Sequence, residues 1–141
     1  MLNFFKLYLI HAKLFSRNAK LFLVGGIFGG IGLSVFSLLF NLYLKEYQFS
    51  ESQIGQVLSW GSLGSALIAI PAAILLEKIH VKKILVYSTI FACLSYFMSI
   101  FSKELSLIFV FMFFANSFIT VYRVCIAPFF MRNSTKSERI Y

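Results

Sequence analysis

The sequence predicts an all-α integral membrane protein: four transmembrane helices, preceded by an amphipathic helix that lies at the membrane interface. Three observations predict it. The 141 residues are 60% hydrophobic and 13% charged, with Phe at 18 residues and Pro at only 2, whereas a soluble domain is roughly half apolar and a quarter charged. The apolar residues gather into four long runs that contain almost no charge. The charges, in turn, cluster between those runs. So much apolar surface requires lipid as its solvent.

The first run, residues 21–44, holds 24 residues without one charge. As a helix it spans about 36 Å, enough for the roughly 30 Å hydrocarbon core. The second, residues 53–76, is also 24 uncharged residues; the third is residues 84–101; the fourth, residues 106–131, is interrupted only by Arg123. All four are expected to be helices joined by short hairpins, because an isolated strand leaves its backbone groups unpaired in lipid.

Residues 1–20 carry Lys6, Lys13, Arg17 and Lys20, the link 77–83 carries Lys78, Lys82 and Lys83, and the tail 132–141 carries Arg132, Lys136 and Arg139. The other side holds Lys45 and Lys103, each beside a carboxylate. Ten against two places both termini and the 77–83 link in the cytoplasm, in a multi-pass protein of the cell (cytoplasmic or inner) membrane. The four basic residues of 1–20 share one face of a helix whose other sides carry Phe4, Phe5, Leu9 and Phe15, which reads as an anchor on the inner leaflet. No small-residue cleavage pattern follows that segment, so it is read as retained.

The formal net charge of +8, taken alone, fits a nucleic-acid binder. Its division between apolar runs is instead a topology signal, and no nucleic-acid partner is expected. Cys93 and Cys125 stand inside apolar runs without Cys or His neighbours, as packing residues do. His11 and His80 are isolated, and no nucleophile–base set, carboxylate pair, metal cluster or phosphate loop is present. No catalytic residue, metal or cofactor is therefore assigned, and the chain is not read as an enzyme.

Small and polar residues pattern the runs. In the second, Gly55, Ser59, Ser62, Ala66, Ala69 and Ala73 repeat at steps of three and four, a stripe that lets another helix approach closely. In the first, Gly25 with Gly29 and Gly26 with Gly30 form overlapping GxxxG pairs, which serve either helix packing within the chain or bending of the helix during transport. Ser34, Ser37 and Asn41 continue as a polar line. In the fourth, Asn116, Thr120 and Arg123 share a face with Ala127. Arg123 lies eight residues from Met131, about 12 Å inside the boundary. An arginine at that depth is expensive against lipid, so it either faces protein or water along a pathway or snorkels to the headgroups. Pro128, one turn later, removes a backbone donor.

Ala73, Glu77, Lys78, His80, Lys82 and Lys83 carry a resemblance. Their spacing resembles the link between the second and third helices of the major facilitator superfamily, in which glycine, three residues, an acidic and a basic residue, any residue, glycine, any residue and two basic residues follow one another. The four charged places match; Ala73 and His80 stand where the pattern has glycine. The stretch from Asn41 to Gly55 is similar to the family's first external loop, Arg123 with Ala127 to its fourth-helix pattern, and Ser137-Glu138-Arg139 to the start of its next loop. The resemblance implies the N-terminal portion of a secondary transporter, whose two six-helix halves rock about a midplane site for a small solute. It further implies that Glu77 and its basic neighbours gate that motion by meeting a helix N-terminus of the opposite half. Ser34, Ser37, Asn41, Asn116, Thr120 and Arg123 then become the candidate substrate or proton pathway. Four spans are fewer than the twelve of the family, so a fragment, completed by missing helices of the same or a separate chain, is expected. Two alternatives stand beside it: a non-transporting tetraspan scaffold or assembly protein, and a small four-helix multidrug antiporter, although the first run lacks the membrane carboxylate that such an antiporter requires.

Overall fold

A computed structural model of the chain describes residues 17–133; within that range the side chains of residues 17–19, 22, 77, 78 and 130–133 are left out. The interfacial segment expected at 1–20 lies almost wholly outside the described residues, as does Ser137-Glu138-Arg139. Four helices make up the described chain: α1 (Arg17–Glu46), α2 (Glu51–Lys78), α3 (Val81–Phe101) and α4 (Leu105–Asn133). Each contains a stretch long and apolar enough to cross a membrane: Leu23–Glu46, Glu51–Leu76, Val81–Phe101 and Leu105–Phe129. The protein is an all-helical, multi-pass membrane protein. Pro71 and Pro128 both sit inside helices that continue past them, as membrane helices tolerate.

The link from α1 to α2 is closed by its own backbone. The Phe49 N–H donates to Leu44 O at 3.2 Å and the Gln48 N–H to Lys45 O at 3.0 Å, the paired bonds of a Schellman stop. That stop needs a left-handed residue, and Gln48 supplies it at φ 61° without the freedom of glycine. Phe49 and Leu44 meet in one apolar cluster, which is the contact that accompanies the motif. Ser50 then caps α2, its hydroxyl accepting from the Gln53 N–H at 3.3 Å while the Gln53 side chain accepts from the Ser50 N–H at 2.8 Å. This reciprocal box satisfies two of the donors that a helix start leaves open. Lys45 and Glu51 form an exposed ion pair at 3.5 Å that contributes little.

The link from α2 to α3 is two residues long. Ile79 (φ −122°) and His80 (φ −61°) are both extended, so His80 does not take the left-handed conformation a glycine would bring to its place. His80 is the N-cap of α3, without a side-chain capping bond.

Packing is centred on α4, which meets α2 along one side and α3 along the other. The α2–α4 contact is made by glycine. A methyl group on Gly64 would land inside contact distance of the Phe113 carbonyl oxygen, and one on Gly61 would stand 2.6 Å from Asn116 Nδ2. Only residues without a Cβ let the two backbones come this close. Small residues do the same for α3, whose buried face runs Val81, Ile84, Leu85, Ser88, Ala92 and Ser99. The buried hydroxyls of Ser88 and Ser99 donate to Leu85 O and Tyr96 O on their own helix, so no polar group is stranded there.

Two apolar clusters result. At the end of the bundle near His80, Ala72, Val81, Ile84, Leu85, Val121 and Cys125 pack together from α2, α3 and α4. At the opposite end, near Lys45, Phe40, Leu44, Val57, Ile108 and Met112 are joined by Phe36, Tyr43 and Tyr96, so that all four helices take part. α1 belongs to the second cluster alone. Its described side chains up to Gly32 are all exposed, and Gly25, Gly26, Gly29 and Gly30 have nothing within 4 Å of where a Cβ would stand. The overlapping GxxxG pairs therefore make no close helix contact among the described residues.

Candidate functional site

Where α1 comes back to the bundle it encloses a cleft of about 260 Å³. From α1 the lining residues are Leu33, Phe36, Ser37, Phe40 and Asn41; from α4 they are Met112, Asn116, Ile119 and Arg123. Leu58 and Ser62 of α2 and Tyr96 of α3 complete the wall. The α4 residues recur at steps of four, three and four, one continuous helical face, and the α1 residues, at steps of three and one, likewise share a face.

The cleft is closed towards Lys45 by rings. Phe36 stacks on Phe40 at 5.2 Å and tilts against Tyr96 at 4.6 Å. Phe40, Tyr43 and Tyr47 continue the column. Tyr43 donates its hydroxyl proton to the Ile100 carbonyl oxygen at the end of α3. Offset and tilted pairs of this kind add to simple burial. Through them α1 is fastened at one end and stands clear at the other.

The polar groups of the cleft differ in how they are satisfied. Asn116 Nδ2 donates to Met112 O at 3.0 Å, and its backbone carbonyl accepts from Ser65 Oγ at 3.4 Å; the residue thus ties α4 to α2 while lining the cleft. Ser62 donates to Leu58 O. Asn41 Oδ1 is buried without a hydrogen-bond partner, an unusual condition for a buried acceptor. Arg123 is exposed and lines the cleft together with Tyr96. The ion pair of the described residues is Lys45 with Glu51, far along the sequence from Arg123.

Of the six pathway candidates, Ser37, Asn41, Asn116 and Arg123 share this cleft. Ser34 is exposed beside it and bonds back to Gly30 O at 2.9 Å. Thr120 is half-buried on a neighbouring face of α4: the face that reaches α1 passes through Ile119 instead. Tyr96 and Phe36 are cleft residues that sequence reasoning missed. A tyrosine in an 18-residue apolar run that also holds Tyr87 carries no signal of facing water. Of the link residues, Ala73, His80, Lys82 and Lys83 are exposed, while the side chains of Glu77 and Lys78 are among those left undescribed. Gly55, Ser59, Ala66 and Ala73 of the small-residue stripe are exposed as well, because α2 uses a different line, Val57, Gly61, Gly64 and Ala72, against α4. Among the described residues no group of His, Cys, Asp and Glu could hold a metal ion.

A family model described as Major Facilitator Superfamily matches residues 22–141. The chain belongs to that superfamily. As a member it is a transporter chain by family, and the match takes in all four helices together with the 77–83 link. No curated protein and no solved structure gives a significant match to it.

Proposed function

We propose that this chain forms one wall of a solute pathway in a secondary transporter that works by alternating access. One observation carries the reading: polar residues of two helices distant in sequence, Ser37 and Asn41 on α1 and Asn116 and Arg123 on α4, converge on a single cleft inside a membrane bundle. Polar groups at membrane depth are costly and belong where water or a solute meets them. Further helices, from the same or a separate chain, complete the cleft on its open side, and the exposed stripe Gly55, Ser59, Ala66 and Ala73 is the surface on which they approach. The basic clusters orient both ends of the chain to the cytoplasm. The ring-closed Lys45 end is then outward, and α1 stands clear on the inward side, as in a pathway open to the cytoplasm. Glu77, at the foot of α2, is the gating carboxylate, acting with Lys78, Lys82 and Lys83.

The test is thiol accessibility in a Cys93→Ser background. Ser37→Cys, Asn41→Cys and Asn116→Cys should react with a membrane-impermeant thiol reagent, while Leu67→Cys and Ile70→Cys, on the outside of α2, should not. Uniform protection of the three cleft positions would favour a tetraspan scaffold. For the gate, Glu77→Gln in the complete transporter should lower transport or shift the resting conformation, measured by uptake and by the same thiol rates.

A further inference from the structure

We propose that the cleft selects for negative charge, so that the transported solute is an anion held by Arg123; this rests on reading the cleft as a solute pathway. The lining contributes two groups that can carry charge, Arg123 and Tyr96, and no carboxylate. Of the chain's five acidic residues, Glu46, Glu51, Glu77 and Glu104 stand at helix ends, and Glu138 lies outside the described residues. Among the described residues, nothing on this wall offsets the guanidinium. The remaining polar groups, the amides of Asn41 and Asn116 and the hydroxyls of Ser37, Ser62 and Tyr96, are neutral. They can orient a solute without cancelling the field.

In a cleft walled by Phe36, Phe40 and Ile119 that field is poorly screened, so it discriminates strongly by sign. A cation entering here would approach a positive charge for which no described residue supplies a counter-ion. An anion bearing a planar carboxylate or a phosphate matches the fork of donors that arginine presents. The same chemistry is available from lipid phosphates if the side chain reaches the headgroups, and the two sources are separable by experiment.

The measurement uses two thiol reagents of similar size and opposite charge, the sulfonatoethyl and trimethylammonioethyl methanethiosulfonates, on Asn116→Cys and Ser37→Cys in the Cys93→Ser chain. Rates are corrected for each reagent's reaction with a free thiol. In maltoside micelles, which contain no phosphate, the anionic reagent should react about tenfold faster than the cationic one. Arg123→Gln should bring the ratio to within about twofold of unity, and Arg123→Lys, which keeps the charge, should largely preserve it. The same preference in phosphatidylcholine nanodiscs, which offer headgroup phosphate without a net surface charge, supports a free anionic solute; its loss there means that headgroup phosphate occupies Arg123 and overturns the proposal. Equal rates, or a faster cationic reagent, in the parent chain overturn it while leaving the solute pathway intact. If neither reagent reacts, the pathway reading itself has failed.

Discussion

Two glycine-bearing stretches of this molecule behave in opposite ways. In α1, Gly25, Gly26, Gly29 and Gly30 make up two overlapping GxxxG pairs, and no atom stands within 4 Å of any missing Cβ. In α2, Gly61 and Gly64 form no such pair, yet they hold the tightest helix contact described, against Phe113, Asn116 and Ser117 of α4. Spacing alone does not make a packing site. What decides is whether a second helix is held alongside. Two-residue and three-residue links and the Ala115–Ser117 face bring α4 onto α2 and α3, whereas α1 is fastened by its aromatic column near Lys45, and its glycines from Gly25 to Gly32 meet no second helix. The small residues of α2 fuse helices into a wall; those of α1 lie along the part that stands clear.

Substitutions can break or sharpen that contrast, with stability read by detergent-titrated unfolding. Leu44→Ala empties a fully buried position in the four-helix cluster and should cost about 2–4 kcal/mol. Gly64→Ala should cost about 1–3 kcal/mol, because its Cβ meets backbone that cannot turn aside. Gly61→Ala should cost about 1 kcal/mol, less than Gly64→Ala, since its nearest neighbour is the Asn116 amide, which can rotate. Gln48→Gly should stabilise by about 0.5–1 kcal/mol by relieving the left-handed stop between α1 and α2. Gly29→Ala should change stability by less than about 0.5 kcal/mol. A cost for Gly29→Ala equal to that for Gly64→Ala would erase the comparison.

The four helices were legible because lipid allows few alternatives: a long uncharged run can only be a helix. Which face of each helix turns inward was much less so. A membrane helix is apolar all round, and the hydrophobic period that marks the buried side of a soluble helix is weak here. Asn116 and Arg123 were found on one face by their polarity, but Thr120 was grouped with them when the face that meets α1 runs through Met112 and Ile119. Ser34 was grouped with Ser37 and Asn41, although a helix serine can satisfy itself on the preceding turn, as Ser34 does. Tyr96 gave no polar pattern to read. Its place follows from Phe36, whose ring meets it from another helix. The Schellman stop was hidden because glutamine stands where glycine is the usual sign.

The central claim is that α1 is fastened at its Lys45 end and stands clear at its His80 end, which is what opens the polar cleft between α1 and α4. Paired spin labels in lipid nanodiscs test it directly, one pair on Leu42 and Leu107 and the other on Val24 and Ala127, four positions exposed on α1 and α4. The first pair should give a narrow distance distribution and the second a broad one that reaches longer separations. Two equally narrow distributions would contradict it.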